Sequence, residues 1–392
     1  MSITSPAGFR ASGVAAGLKA SGGPDVALVV NDGPLHVGAA VFTTNRVVGA
    51  PVVWSRQVVT DGVVHAVVLN SGGANVCTGP EGFTDVHRTA ELVGELLEVS
   101  AGDVVVCSTG LIGERLPTEK LLAGVSEAAG ALSPDGGDDA SRAIMTTDSV
   151  PKTVHVARGA HGAPGWSVGG MAKGAGMLAP GMATMLSVLT TDAVTDAATA
   201  DAALRAATGV TFDRVDSDGC MSTSDTVTLL VSGASGVEVG LAELTEALTE
   251  ACAVLARGLV ADAEGATHDI AVTVVRAETT SAAVAVARAV TRSNLFKAAM
   301  YGNDPNWGRV LAQVGTVPVE VAAYDPDLLD VTINGVQVCR AGGLGEPREL
   351  LDLAASREIH VEVDLHAGQS TATVWTNDLT HDYVHENSAY ST

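Results

Sequence analysis

The sequence predicts an α+β fold in which helices cover layered β-sheets. Short apolar runs rich in valine and bounded by Gly, Asn or Asp recur in the first third of the chain, and such runs are typical of strands. Stretches with apolar residues every three or four positions lie between and after them and indicate amphipathic helices. Strands and helices therefore occur in clusters along the chain, an order that fits packed layers of sheet and helix.

The first predicted elements are a set of strands and one helix. The helix extends from Thr84 to Val99, where an apolar stripe follows a threonine that can cap the first turn. The segment from Pro134 to Ala140 is predicted to be a loop because Pro, Gly and Asp dominate its composition. The valine-rich runs predict strands at 26–30, 39–43, 63–69 and 103–107.

The second half of the chain is predicted to begin with a long amphipathic helix from Leu241 to Ala261. A strand is expected next, at 270–275. Two further helical patterns cover 280–290 and 293–300.

The pattern changes after Gly315 to alternating strands, which indicates a small α/β domain at the C-terminal end. We therefore expect one domain over residues 1–280 and a second over residues 281–392. The strands predicted after Gly315 are 317–323, 329–333, 358–364 and 370–375.

Composition places the chain among folded globular proteins. Its 392 residues are enough for a large core, and 46% of them are apolar while only 17% are charged. The formal charge of −23 argues against a nucleic acid partner, because phosphate binding needs clustered Lys and Arg and the sequence has no basic cluster.

The cysteines and histidines give no sign of a metal site or a disulfide framework. The five cysteines are odd in number and form no C-x-x-C pair, and the histidines are scattered. A reducing cytoplasm therefore fits best. No apolar run approaches the roughly 18 residues that span a bilayer, so neither an export segment nor a membrane segment is expected.

The junction between Ala183 and Thr184 carries the strongest chemical signal. A threonine hydroxyl is a poor nucleophile at neutral pH, but an α-amine freed by a cut just before it would serve as its base. Such an amine titrates near about pH 8, so it can exchange protons at physiological pH. Small Ala183 leaves the scissile carbonyl open. The alternative is a buried strand from Met182 to Leu189 in which the threonine is present because β-branched residues suit strands.

Motifs along nearly the whole chain resemble the ornithine acetyltransferase family, whose members move acetyl from N-acetylornithine to glutamate. The chain departs from the family pattern at Ala179, Pro180 and Gly181, where many members have His-Pro-Asn, and at 216–225, where DSDGCMSTSD replaces a segment like DGDTSTND. The matching segments are GFRASGVAAGLK (8–19), VFTTNRV (41–47), NSGGANVCTG (70–79), CSTGLIGERLP (107–117), IMTTDSVPK (144–152), KGAGMLAPGMATML (173–186), AEGATHDI (263–270), RSNLFKAAMYGNDPNWGRVLAQVG (292–315) and DYVHENSAYST (382–392).

This resemblance implies a fold, an activity and an assembly. The fold is an α/β/β/α sandwich like that of L-aminopeptidase/D-esterase proteins, with a C-terminal domain added. The chain would cut itself before Thr184 into an α chain, 1–183, and a β chain that begins at 184, and two of each would form a heterotetramer. The enzyme would serve arginine biosynthesis without a metal or organic cofactor. The resemblance leaves open whether acetyl-CoA is a second acetyl donor and whether the pathway is a specialised one.

The residues of the chemical step are Thr184 and two residues that follow the strand predicted at 103–107. Acyl transfer needs hydrogen-bond donors aimed at the oxyanion, and Thr109 and Gly110 stand at the end of that strand. From the residues alone, a strand-ending turn with a hydroxyl cap is the favoured explanation of the pair. The resemblance assigns Thr109 and Gly110 to the oxyanion hole and Thr184 to the nucleophile.

The resemblance also implies the substrate contacts. Lys173 would hold the substrate carboxylate, a role that suits its single positive charge, and Glu264 would recognise the ornithine amine. Without the resemblance, Glu264 is a solvated residue after a helix, and the last residues are an ordinary frayed tail. Thr146 competes with Thr147 as the substrate threonine. The substrate residues carried over are Thr147, Lys173, Thr184, Glu264, Asn387 and Thr392.

Two rival functions remain at this point. An N-terminal-nucleophile amidase or aminopeptidase of the same fold would pass the acyl group to water, and a small-molecule binding protein would stay uncut. GWSVG at 165–169 fits the G-x-S-x-G motif of α/β-hydrolases, but its flanks predict neither the strand nor the helix that this motif needs. GAGMLA at 174–179 fits a dinucleotide pattern, but Pro180 blocks the helix that would bind pyrophosphate.

Overall fold

The computed structural model of the protein describes residues 2–159, 165–179 and 185–389. Its strands are β1 Phe9–Val14, β2 Val26–Asn31, β3 Val37–Phe42, β4 Ala66–Ser71, β5 Val104–Thr109, β6 Lys152–Arg158, β7 Trp166–Lys173, β8 Leu186–Thr191, β9 Thr226–Val231, β10 Asp269–Ala277, β11 Asp330–Ile333, β12 Val336–Arg340, β13 Gly343–Leu344, β14 Glu358–Asp364 and β15 Ser370–Asn377. Its α-helices are α1 Ala50–Val58, α2 Gly79–Leu97, α3 Thr118–Gly130, α4 Gly137–Ala143, α5 Ala197–Val210, α6 Leu241–Ala261, α7 Thr280–Thr291, α8 Asn294–Tyr301, α9 Trp307–Val314 and α10 His381–Ala389.

Two sheets form the centre of the larger part of the molecule. The first has the strand order β1-β2-β4-β5 and the second the order β3-β9-β8-β7-β6. The sheets pack face to face, because Met171, Leu186, Val188 and Leu230 of the second sheet belong to the same apolar core as the strands of the first. Helices α2 and α3 cover the first sheet, and α5 and α6 cover the second. The α/β/β/α sandwich is therefore confirmed.

A third sheet, with the order β13-β12-β11-β14-β10-β15, forms the C-terminal part. Helix α7 packs on β10 and β15 over a separate apolar core. Strand β10 pairs in parallel with β14 and antiparallel with β15, so it belongs to this sheet although it precedes residue 280. A domain boundary at residue 280 would separate β10 from its partners β14 and β15. We therefore propose a domain boundary between α6 and β10.

The buried strands of the sandwich arise from continuous apolar sequence. Strands β2, β4 and β5 are buried at every residue, as expected for strands covered on both faces. Strand β14 instead alternates exposed and buried positions, because one face of the third sheet is open to solvent. The sequence shows both burial patterns, as valine-rich runs in β2, β4 and β5 and as alternating polar and apolar residues in β14.

Three predicted elements differ from the structure. The segment predicted as a loop contains helix α4, whose first turn carries Asp138 and Asp139, and acidic side chains stabilise a helix N-terminus. Residues 317–323 form turns instead of a strand, and Val319 is 71% exposed. Helix α2 begins before Thr84, because Pro80 occupies its first turn, where proline is well tolerated. Among the described residues, no helix is both long and apolar enough to cross a membrane.

Candidate active site

A small cavity lies where strands of the two central sheets end. Strand β5 of the first sheet ends at Thr109, and β7 of the second sheet ends at Lys173. The cavity has a volume of about 120 Å³, so it fits only a small ligand. Its lining residues are Ala74, Thr109, Gly110, Ile112, Thr146, Thr147, Lys173, Gly176, Met177, Ser222, Thr223, Ser224, Glu264 and Asn387.

The two strand ends are joined by a hydrogen bond inside the cavity. The Nζ of Lys173 donates to the Oγ1 of Thr109 across 3.3 Å, and both residues are buried. Burial lowers the pKa of the Lys173 ammonium, while the negative charges of Asp148, Asp225 and Glu264 act in the opposite direction. A buried cation thus faces the cavity with carboxylates around it, as a buried charge requires.

Only glycine fits at position 110, directly after the end of β5. Its φ of +129° is a conformation that residues with a side chain rarely adopt. A Cβ there would lie 2.6 Å from the backbone nitrogen of Gly73. The carbonyl of Thr109 accepts hydrogen bonds from the N–H groups of Gly72 and Gly73. The turn after β5 is therefore fixed by backbone contacts that leave no room for a side chain.

Asp148 is a site residue that sequence reasoning missed. Its Oδ1 accepts hydrogen bonds from the Nζ of Lys152 and the N–H of Gly174, each at 2.6 Å. Burial favours its neutral form, but the charges of Lys173 and Lys152 outweigh that effect and lower its pKa to about 2. Asp148 thus holds both the start of β6 and the loop after β7. Its position within the motif IMTTDSVPK was the available signal.

Glu264 and Asn387 meet at the other side of the cavity. The Nδ2 of Asn387, on α10, donates to the Oε2 of Glu264 at 2.9 Å. The backbone N–H of Glu264 donates to the carbonyl of Ala175, and a Cβ on Gly176 would lie 2.5 Å from Oε1. The glutamate side chain therefore packs directly on the loop that follows Lys173. The C-terminal segment forms a helix that reaches the cavity, although the residues of that helix are mostly exposed.

Both candidate threonines after α4 line the cavity. Thr147 is half-buried, whereas Thr146 is exposed and its N–H donates to the Oδ2 of Asp148. The structure therefore places both within reach of a ligand.

Ala183, Thr184 and Thr392 lie outside the described residues. The chain resumes at Met185, which is bonded to Thr184. The residue after it, Leu186, pairs with Lys173 across β7 and β8. The described chain therefore resumes beside the strand that ends at the buried lysine.

The serine of the GWSVG motif does not have the local geometry of a hydrolase nucleophile. Ser167 lies within β7, between the neighbouring strands β6 and β8, and its N–H donates to Asp192 at 2.7 Å. A hydrolase serine needs a sharp turn between a strand and a helix, which this position does not have.

One cluster of potential metal ligands lies among the described residues, in the C-terminal sheet. It consists of Asp330, Asp364 and His366. The guanidinium of Arg276 already donates to Asp364 at 2.8 Å. The Arg276 cation therefore offsets part of the negative charge of this cluster, whose residues do not line the cavity.

Comparison with known proteins gives one consistent family. Residues 10–392 match the ArgJ family. The arginine biosynthesis bifunctional protein ArgJ of Streptomyces coelicolor is 60% identical over 391 residues, with 100% of each chain covered. The protein of the same name from Thermobifida fusca is also 60% identical, over 392 residues, with 100% of each chain covered. A crystal structure of ornithine acetyltransferase complexed with ornithine, from Mycobacterium tuberculosis, is 57% identical and covers 47% of this chain and 96% of its own, with a TM-score of 0.44.

Proposed function

The chain belongs to the ArgJ family, and from this membership we propose how the residues around the cavity carry out its reaction. It is an ornithine acetyltransferase of arginine biosynthesis. The site assignment is supported by four polar residues that come from distant parts of the chain and line one cavity. They are Thr109, Lys173, Glu264 and Asn387.

The first step is cleavage of the chain before Thr184. The Thr184 hydroxyl attacks the carbonyl of Ala183, and the peptide nitrogen leaves that carbon as the new α-amine. Water then hydrolyses the ester and releases the α chain, 1–183, with a free carboxylate. The β chain now begins with Thr184, whose amine serves as the base for its own hydroxyl.

The second step is acetyl transfer through Thr184. Its hydroxyl attacks the acetyl carbonyl of N-acetylornithine, ornithine leaves, and glutamate takes the acetyl group from the ester. An oxyanion forms in each half-reaction. Because the Lys173 ammonium can only donate, the Thr109 hydroxyl accepts that hydrogen bond and keeps its own proton for the oxyanion. The backbone N–H of Gly110 is the second donor, and one such donor lowers the barrier by roughly 3 kcal/mol.

Charged groups at opposite sides of the cavity recognise the substrate. Lys173 binds the carboxylate of N-acetylornithine, and Glu264 binds its side-chain amine with Asn387 holding the glutamate in place. Thr147 and, at the C-terminus, Thr392 complete the polar contacts. This division of charges suits an amino acid that is negative at one end and positive at the other.

The proposed function also includes a second donor, an assembly and a location in the cell. Acetyl-CoA is a second donor, as the word bifunctional in the names of the relatives suggests. The two chains form a heterotetramer of two α and two β chains. The enzyme acts in the cytoplasm, which agrees with five cysteines that are all free.

Acceptor dependence tests the proposal against the amidase alternative. N-Acetylornithine with a labelled acetyl group is incubated with the purified enzyme, with and without glutamate. Transfer predicts labelled N-acetylglutamate in the presence of glutamate and little release of label in its absence. Labelled acetate formed at the same rate in both reactions would show a hydrolase instead.

A further inference from the structure

The hydrogen bond between Glu264 and Asn387 joins two separate segments of the chain. Glu264 lies in the segment between α6 and β10, and Asn387 lies on α10. Helix α10 has nine residues and none of them is buried, so burial of an apolar face contributes little to its position. A helix of this length is marginal in water on its own. Polar contacts therefore determine where Asn387 lies.

One buried hydroxyl group contacts both segments. Thr380 directly precedes α10, and its Oγ1 accepts a hydrogen bond from the N–H of Tyr383 at 3.0 Å, as the N-cap of a helix does. The same Oγ1 donates to the carbonyl of Gly265, the residue after Glu264, at 2.7 Å. Thr380 is only 3% exposed, so water has little access to compete for either bond.

Gly265 allows the two segments to approach each other closely. Its φ of +63° lies in the left-handed region, which glycine adopts without strain. A Cβ at this position would overlap the backbone nitrogen of Tyr383. The first turn of α10 therefore packs directly against the backbone beside Glu264.

Asp378 anchors the far end of the segment that carries Glu264. Its Oδ1 accepts hydrogen bonds from the N–H groups of Thr267 and His268, at 2.9 and 3.0 Å, and its side chain is buried. These bonds hold residues 267 and 268 to the end of β15 and do not involve Thr380. Loss of the Thr380 hydroxyl should therefore loosen the backbone beside Glu264 while the fold stays in place.

We propose that Thr380 is a positioning residue for recognition of the substrate amine. Its hydroxyl group caps the helix that carries Asn387 and holds the backbone beside Glu264, so one atom sets the spacing of this pair. The inference rests on the proposed function, in which Glu264 binds the side-chain amine of N-acetylornithine. Thr380 does not line the cavity, so it acts through Glu264 and Asn387. It therefore affects a donor that has the amine and not a donor that lacks it.

The test compares Thr380→Val with two other variants, Thr380→Ser and Thr279→Val. Valine has nearly the shape of threonine but removes both hydrogen bonds, whereas serine keeps the hydroxyl group. Thr279 is the matched control, because it caps α7 by accepting a hydrogen bond from the N–H of Ala282 and does not line the cavity.

Acetyl transfer to glutamate is measured per cut chain with two donors, N-acetylornithine and N-acetyl-2-aminopentanoate, which has no side-chain amine. In Thr380→Val we expect kcat/KM for N-acetylornithine to fall about tenfold, mainly through KM, and kcat/KM for the donor without the amine to change less than about twofold. Thr380→Ser and Thr279→Val should keep the wild-type preference for N-acetylornithine.

An equal fall for both donors in Thr380→Val overturns the inference, because a residue that only supports the fold would act on both. An unchanged preference in that variant overturns it as well. If Thr380→Val does not fold, Thr380→Cys replaces it. The thiol is a weak donor and a weak acceptor, so a partial loss of the preference supports the inference and an unchanged preference overturns it. A wild-type enzyme without a preference for N-acetylornithine overturns the proposed role of Glu264 itself, a result that is separate from any difference between the variants.

Discussion

At the residue scale, the hydrogen-bonded pair of Thr109 and Lys173 is the centre of the proposed site. A buried lysine that donates to a threonine hydroxyl fixes the direction of the hydroxyl proton. The same lysine offers positive charge to a carboxylate in the cavity. In the proposed reaction, this one hydrogen bond thus links substrate recognition to stabilisation of the oxyanion.

Removal of the Thr109 hydroxyl should slow both half-reactions. We expect Thr109→Ala to lower kcat about 10²-fold with little change in KM for N-acetylornithine, because the contact strengthens only in the transition state. Thr109→Ser keeps the hydroxyl and should retain most of the activity. Steady-state kinetics of the three enzymes checks this, and equal losses in the Ala and Ser variants would exclude the oxyanion role.

The lowered pKa of Asp148 predicts that the stability of the fold depends on pH. Its pKa lies at about 2 in the folded protein, below its ordinary value of 3.8. A lowered pKa means that the charged carboxylate stabilises the fold above pH 3.8, by about 2 kcal/mol, and that this contribution disappears as the pH falls through about 2.

Urea unfolding of wild type and Asp148→Asn at several pH values measures this effect. The difference in free energy of unfolding between the two proteins should be largest near about pH 6 and shrink toward about pH 2. The exposed Asp135→Asn, outside any helix, is the control and should follow the wild type. A difference that is independent of pH would show that Asp148 stabilises the fold by shape alone.

At the element scale, loops that follow strands bring the site together. Residues 174–176 leave β7, and Glu264 packs on them from the segment after α6. Gly176 permits this approach, since a Cβ there would lie 2.5 Å from the glutamate carboxylate. The carboxylate is the mobile end of a side chain, so it can shift if a methyl group is added.

Gly176→Ala should therefore displace Glu264 without unfolding the protein. We expect KM for N-acetylornithine to rise about tenfold, while kcat and the melting temperature change little. Gly130→Ala is the control, because a Cβ at Gly130 would meet no atom within 4 Å. An unchanged KM in Gly176→Ala would remove Glu264 from substrate binding.

The sequence allowed some of these elements to be predicted and not others. Strands β2, β4 and β5 were predictable because their valine runs have an apolar pattern of their own. Strand β7, WSVGGMAK, was not predicted, since its small residues have no clear period and only pairing with β6 and β8 buries them. The same holds for the site. Motifs pointed to Thr109 and Glu264, but Asp148 gains its partners only in the folded chain.

At the scale of the whole molecule, the cut would pass through a shared sheet. In the order β3-β9-β8-β7-β6, strands β9 and β8 follow residue 184, and the others precede it. The two chains would therefore interleave within one sheet. Separating the chains would break the hydrogen bonds between β3 and β9 and those between β7 and β8.

The cut enzyme should therefore behave as a single folding unit. We expect both chains to elute together under native conditions and to unfold in one cooperative urea transition, although a denaturing gel resolves them. The uncut Thr184→Ala protein should elute at the same position. Separation of the chains without denaturant would contradict the interleaved sheet.

In the proposed reaction, Thr184, freed by the cut, carries the acetyl group. The most direct measurement is the intact mass of both chains after incubation with N-acetylornithine, with and without glutamate. We expect a chain that begins at Thr184 and is heavier by one acetyl group on that residue, with the added mass lost when glutamate is supplied. A full-length uncut chain that transfers acetyl, or acetyl found on another residue, would contradict it.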